Sequence, residues 1–204
     1  MSTRIAIIVE GATEKVFIPT VRRFLQTQLG GEAMPKLDPV PCHGRIPTHD
    51  GLRKKVSLLL SGKFAADAVV ALTDVYTGTR EFRDARDAKN KMRNWVGEEP
   101  RFYAHAAQHD FEAWLLPFWS DVQRLAKSTA PKPSPHPEQV NHGHPPAYHL
   151  KEAFRVGNGG RSYVKTRDAA RILREQDLTM AAKECPELKA FLNTLLGLCR
   201  AKLI

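Results

Sequence analysis

The chain has 204 residues, 42% hydrophobic and 26% charged, with 31 basic against 22 acidic side chains and a net charge of +9. These proportions are ordinary for a globular protein, and the length accommodates one sizeable α/β domain with an added subdomain. Cys42, Cys185 and Cys199 are odd in number and lack a CxxC spacing, which argues against a disulfide framework and a cysteine zinc site, and no stretch approaches the ~18 to 20 apolar residues of a membrane helix.

In chain order, Ile5 to Val9 form an apolar run without polar alternation, as expected of a strand buried on both faces, and Glu10 and Gly11 follow at once. Thr13 is placed to cap the next helix, whose apolar face uses Val16, Phe17, Val21, Phe24 and Leu25, and Gly30-Gly31 stops it. A short strand around Val40 to His43 carries enough neighbouring proline to be irregular or an edge. Asp50 to Leu60 reads as a helix, and Ala68 to Thr73 as a second buried strand ended by Asp74. The charged segment Arg80 to Asn94 reads as a solvent-exposed helix laced by local ion pairs. Arg101 to His109 predicts another strand, and His109-Asp110-Phe111-Glu112 opens a short helix to Trp119, with a further turn or two from Asp121 to Ser128.

Six prolines between Ala130 and Pro146 mark a boundary or an extended arm, which should be disordered or used. Beyond it the pattern is helical: from Tyr148 to an interruption at Gly157 to Gly160, over Tyr163 to Glu175, and over Leu178 to Leu203 with Pro186 in the first turn of the last helix. Of the +9 charge, +6 falls after Ser120, and basic excess suggests a polyanionic partner, usually nucleic acid. The opening residues lack a secretory-signal pattern, so a cytoplasmic location is expected.

Glu10, Asp74 and Glu112 stand at or just past the ends of three strands. A carboxylate there is costly unless it is hydrogen-bonded, paired or bound to a cation, and open α/β sheets place ligands at those ends. In a doubly wound sheet of order 2-1-3-4 the three acids share one rim. Carboxylate oxygens suit Mg²⁺ or Mn²⁺, and two such ions ~3.5 to 4 Å apart can activate water against a phosphodiester. Glu14 and Asp110 are reserves for a second ion, or acids that merely favour helix N-termini. His109 is a candidate general acid or phosphate-positioning group, or a backbone hydrogen-bond partner. Lys165 follows Gly159 to Ser162, a stretch able to wrap a phosphate, and is the preferred phosphate or transition-state contact, with a solvated basic residue as the alternative. Glu138 and Asn141 either fold back toward the site or cap a turn. His136, His142, His144 and His149 show no metal-ligand spacing.

The EGxTE pattern after the first strand, with a later strand ending in Asp, resembles the acidic layout of the TOPRIM fold. More closely, the chain resembles the TOPRIM-like domain-of-unknown-function family four-two-seven-six, on IIVEGATEKVF at 7–17, LTDVYTG at 72–78, HDFEAWL at 109–115, PEQVN with HLKEAF within 137–154, YVK at 163–165 and CPELKAFLNTL at 185–195. The resemblance implies a metal-dependent nuclease-type site often associated with an SMC- or ABC-like ATPase in phage defence. By position, Glu10 matches the TOPRIM glutamate, Asp74 the first aspartate of its DxD, and Glu112 the acid of HxFEA. Tyr76 stands where the general DxD has its second aspartate, which leaves the number of ions open.

The resulting expectation is a TOPRIM-like parallel α/β sheet of order 2-1-3-4 over residues 1–120, with a Pro-rich arm and helical extension over 121–204 packing on it. The expected function is a Mg²⁺- or Mn²⁺-dependent nuclease; the alternative is a non-catalytic subunit binding nucleic acid or an ATPase through a degenerate site.

Overall fold

The computed structural model describes residues 3–76, 80–140, 143–157 and 162–204, and the side chains of 12–14 lie outside that description. Strands β1 (Arg4–Val9), β2 (Lys36–Pro41), β3 (Ala68–Asp74) and β4 (Phe102–Ala107) form one parallel sheet in the order β2-β1-β3-β4. The order is the expected 2-1-3-4. β1 and β3 are central, and β3 is buried along its whole length, which explains its apolar run from Ala68 to Leu72. β2 lies on an edge, where Pro39 and Pro41 remove donors that a central strand would need.

Alternate residues of the central strands feed two cores. Ile5, Ile7, Val9, Val70 and Leu72 face α1 (Ala12–Leu29), joined there by α6 (Lys165–Leu173) and α8 (Pro186–Leu198) through Ile172, Leu188, Phe191 and Leu195. Phe17, Phe111, Trp114 and Phe191 pack ring against ring in this layer, with centroids 5.3 to 6.2 Å apart. Ala6, Ile8, Val69 and Ala71 face the other way, toward α2 (His49–Leu59) and α3 (Ala85–Val96). No helix is long and apolar enough to cross a membrane, among the described residues.

The charged segment after β3 differs from expectation. α3 buries Ala85, Ala88, Met92, Trp95 and Val96, a narrow stripe at helical spacing hidden among charges. Asp84 caps it by accepting from the Asp87 N–H at 2.7 Å. After β4 comes a 3-10 helix, Phe111–Phe118, followed by α4 (Trp119–Ala126). The Pro-rich arm is used rather than loose: the Ala130 carbonyl accepts from Trp119 Nε1 at 2.8 Å and Gln123 Nε2 at 2.9 Å, and Val140 is buried. Beyond it stand α5 (Pro146–Gly157), α6, α7 (Leu178–Glu184) and α8, with Pro186 at the start of α8 as expected. At Gly157 a Cβ would come within 2.4 Å of the Ala126 carbonyl oxygen, so only glycine lets α5 end against the end of α4.

His105, on β4, is buried, with Nε2 3.0 Å from Thr194 Oγ1 of α8. Burial, and then the charges of Lys89 and Arg93, depress its pKa from 6.5 to about 3. Between those values the unfolded chain holds a proton that the folded chain does not, so this residue lowers stability as pH falls. In urea titrations, His105→Gln is expected to flatten that loss, gaining roughly 2 kcal/mol relative to the parent between pH 7 and pH 5. Parallel pH profiles for the two proteins would contradict the assignment.

Candidate active site

Three adjacent strands deliver acids to one rim. Glu10 follows β1, Asp74 ends β3, and Asp110 and Glu112 follow β4. All four are buried, Glu112 completely. Glu10 is turned toward β3: one of its carboxylate oxygens accepts from the Thr73 hydroxyl and, at 3.1 Å, from the Asp74 backbone N–H. The loop after β2 closes over the same strand end, with Gly44 N–H donating to the Glu10 carbonyl at 2.9 Å. Beside Thr73 a groove of about 380 Å³ opens between Arg45, Ile46, Thr48, Glu81 and Phe82.

Lys165, the first residue of α6, reaches Glu112 with Nζ 3.1 Å from Oε2 and 3.0 Å from Oε1; only the Oε2 contact has hydrogen-bond geometry. Burial alone would lower its pKa. The charge of Glu112 and the hydrogen bond to it, followed by Asp74 and Asp110, outweigh burial and hold the ammonium above its usual range. Lys165 is therefore a fixed positive charge among three acids.

Asp110 precedes the 3-10 helix without capping it through its side chain. Its Oδ2 accepts from the Ala147 N–H of α5 at 3.2 Å, and its buried Oδ1 has no hydrogen-bond partner. Burial, then the neighbouring Glu112 charge, push its pKa up to about 7.

His109 is buried in the left-handed region at φ 70°, a conformation that costs a non-glycine residue energy and tends to occur at functional sites. Burial lowers its pKa despite a hydrogen bond with the Glu138 backbone. Its ring packs on Tyr76 at 5.1 Å, and its carbonyl accepts from the Tyr76 N–H at 2.7 Å. Tyr76 therefore ties the ends of β3 and β4 together.

Glu138 does fold back against His109 through its backbone, but its carboxylate accepts from Trp114 Nε1 at 3.0 Å and from the Glu187 and Leu188 N–H groups, so it caps α8. The Glu14 side chain, Asn141, His142 and the stretch from Gly159 to Arg161 lie outside the described residues. Three contributors were not singled out as site residues: Thr73 and Tyr163, although they lie in the matching segments 72–78 and 163–165, and Asp168, which lies in none. The Tyr163 hydroxyl is buried without a hydrogen-bond partner, and burial, then the charges of Glu112, Asp168 and Asp110, drive its pKa upward. Asp168 is fully buried, accepts from the Val164 N–H at 2.8 Å and pairs with Arg167 at 2.9 Å. It reaches back over the start of α6 as a capping-box acid does, but without the Ser or Thr that would advertise one.

Hard oxygen donors, deep burial and an unpartnered Asp110 oxygen fit a small divalent cation in kind. As placed, the acids are engaged by Thr73, backbone N–H groups and Lys165, and no three His, Cys, Asp or Glu side chains form a metal-ligating group among the described residues.

The profile of the domain of unknown function DUF4276 matches residues 9–196. Among solved structures, the C-terminal region of the Burkholderia pseudomallei OLD protein is similar, with 16% identity, a TM-score of 0.52 and coverage of 98% of each chain. The C-terminal region of the Xanthomonas campestris pv. campestris OLD protein is also found, at 14% identity and a TM-score of 0.43, over 95% of this chain and 98% of that one. The first likeness supports the TOPRIM-like fold. No curated protein matches.

Lys165→Met leaves the fully buried Glu112 charge without its partner. The ammonium is about half exposed, with 45% side-chain accessibility, so the expected loss is about 1–2 kcal/mol, below that for a fully enclosed pair. Chemical denaturation should show most of this loss restored in Lys165→Met/Glu112→Gln; additive losses would mean that the two groups do not interact.

Proposed function

The chain belongs to the DUF4276 family, and we propose that it is a divalent-metal-dependent nuclease that hydrolyses phosphodiesters. The observation that carries this reading is the convergence of four buried carboxylates on one sheet rim, with one Asp110 oxygen left without a hydrogen-bond partner. Glu10, Asp74 and Glu112 would hold Mg²⁺ or Mn²⁺, with Asp110 and Glu14 available to complete the shell. Such an ion would supply Lewis-acid polarisation of the phosphate and a water acidic enough to act as nucleophile.

The chain's own residues then have separate tasks. Asp74 N–H and Thr73 fix the Glu10 carboxylate in place. Lys165, held protonated by the acids around it, offsets charge developing on phosphate oxygens. His109, kept neutral by burial, offers a hydrogen bond instead of a charge. Arg45 at the mouth of the groove beside Thr73 is suited to a backbone phosphate, and the basic excess after Ser120 to a longer polyanion. The family resemblance further supports work as the effector of an SMC- or ABC-like ATPase in phage defence.

One observation favours a second reading. Lys165 already balances Glu112, and the described acids form no metal-ligating trio, as expected of a degenerate site in a non-catalytic subunit that binds nucleic acid or an ATPase.

Incubation of DNA and RNA with the purified protein and Mg²⁺ or Mn²⁺, with and without the ATPase, separates the two. The nuclease reading expects cleavage that chelator abolishes and that falls about a hundredfold or more in Glu10→Gln and Asp74→Asn. Binding without cleavage under every condition would instead establish the second reading.

A further inference from the structure

The structure points to a binding site that the hydrolytic chemistry does not use, on the first turns of α5. We infer that an unpaired nucleobase stacks on the exposed ring of Tyr148, placing single-stranded nucleic acid beside the acidic rim. The inference rests on the nuclease reading for its biological sense and on the following geometry for its content.

Pro145 and Pro146 set the backbone at the start of α5, and the Pro145 carbonyl accepts from the Tyr148 N–H at 2.8 Å. The intervening residue, Ala147, donates its N–H to Asp110 at 3.2 Å. Tyr148 is thus one residue from a direct contact with the acids. Tyr148 is 42% exposed, although aromatic residues bury most of their surface when they serve a core.

The ring is also braced. His144 meets it edge to face at 4.4 Å, and His149 at 5.6 Å with an interplanar angle of 88°. Two of the histidines without metal-ligand spacing thereby acquire a use. A braced aromatic ring has little rotamer freedom left to lose on binding, so stacking retains more of its free energy. Lys151 and Arg155, three and seven residues on, share the exposed side of α5 with Tyr148. Arg155 pairs with Glu152 at 2.6 Å. An aromatic ring followed by cations matches a strand that offers bases and phosphates together. In a duplex the bases are already stacked on one another, so the site selects single strands.

Binding is measured by fluorescence anisotropy in chelator, with labelled oligodeoxythymidine, oligouridine and a blunt DNA duplex. The parent protein is expected to bind single strands, Tyr148→Ala to weaken that binding about tenfold, Tyr148→Phe to retain it, and duplex affinity to stay within about twofold. Tyr148 is exposed, so both variants should melt as the parent does. A Tyr148→Ala loss confined to the DNA or RNA arm assigns the strand, and equal losses in both assign recognition to the base alone. No single-strand binding by the parent, no loss in Tyr148→Ala, or an equal loss on the duplex would overturn the inference. Chelator removes hydrolysis from the measurement, so failure of the nuclease reading leaves these affinities unchanged, and failure here leaves cleavage to stand on its own test.

Discussion

Negative charge gathered at one end of a parallel sheet must be compensated, and the contact of Lys165 with Glu112 is the main compensation in this protein. Strand order alone creates the problem. With β1, β3 and β4 side by side, whatever follows each strand emerges on the same rim, and here each strand is followed or ended by an acid. Glu10 is satisfied by donors from β3, Asp110 only partly by α5, and Glu112 by a lysine more than fifty residues downstream. A site so arranged is stable only while its cations stay in reach, which ties the chemistry of the rim to the helices that follow it.

Those helices do more than cover the sheet. α6 and α8 supply Ile172, Leu188, Phe191 and Leu195 to the core against β1 and β3, while α6 also presents Lys165 and holds buried Asp168. α5 gives the Ala147 N–H to the rim and stops at Gly157 against α4, where any side chain would collide. Core packing and charge placement are therefore set by the same segments, and a helix shifted by one turn would disturb both.

Much of this was legible in the sequence, and the remainder was hidden for physical reasons. Uninterrupted apolar runs announced β1 and β3 because a central parallel strand has no polar face, and the acids that follow them were conspicuous for the same reason. The prolines suggested an irregular or edge strand around Val40 to His43; the strand is an edge, but it spans Lys36–Pro41. The helix at α3 was expected, but its buried face was obscured because the stripe is narrow and charges dominate a linear reading. Glu138 could not be assigned from sequence, since the N–H groups it caps lie about fifty residues away. Thr73, Tyr163 and Asp168 gain their significance from groups brought near only by folding. Tyr76, which breaks the expected pair of aspartates, packs on His109 and links two strand ends.

The central claim is that the rim formed by Glu10, Asp74, Asp110 and Glu112 is a cation site, with Lys165 balancing its charge in the structure described. Crystals soaked in Mn²⁺ and measured for anomalous scattering test this directly. The account predicts a peak roughly 2.0 to 2.3 Å from carboxylate oxygens of at least two of these residues, with Glu112 turned away from Lys165. A rim without any peak at saturating Mn²⁺, with Glu112 still against Lys165, would contradict it.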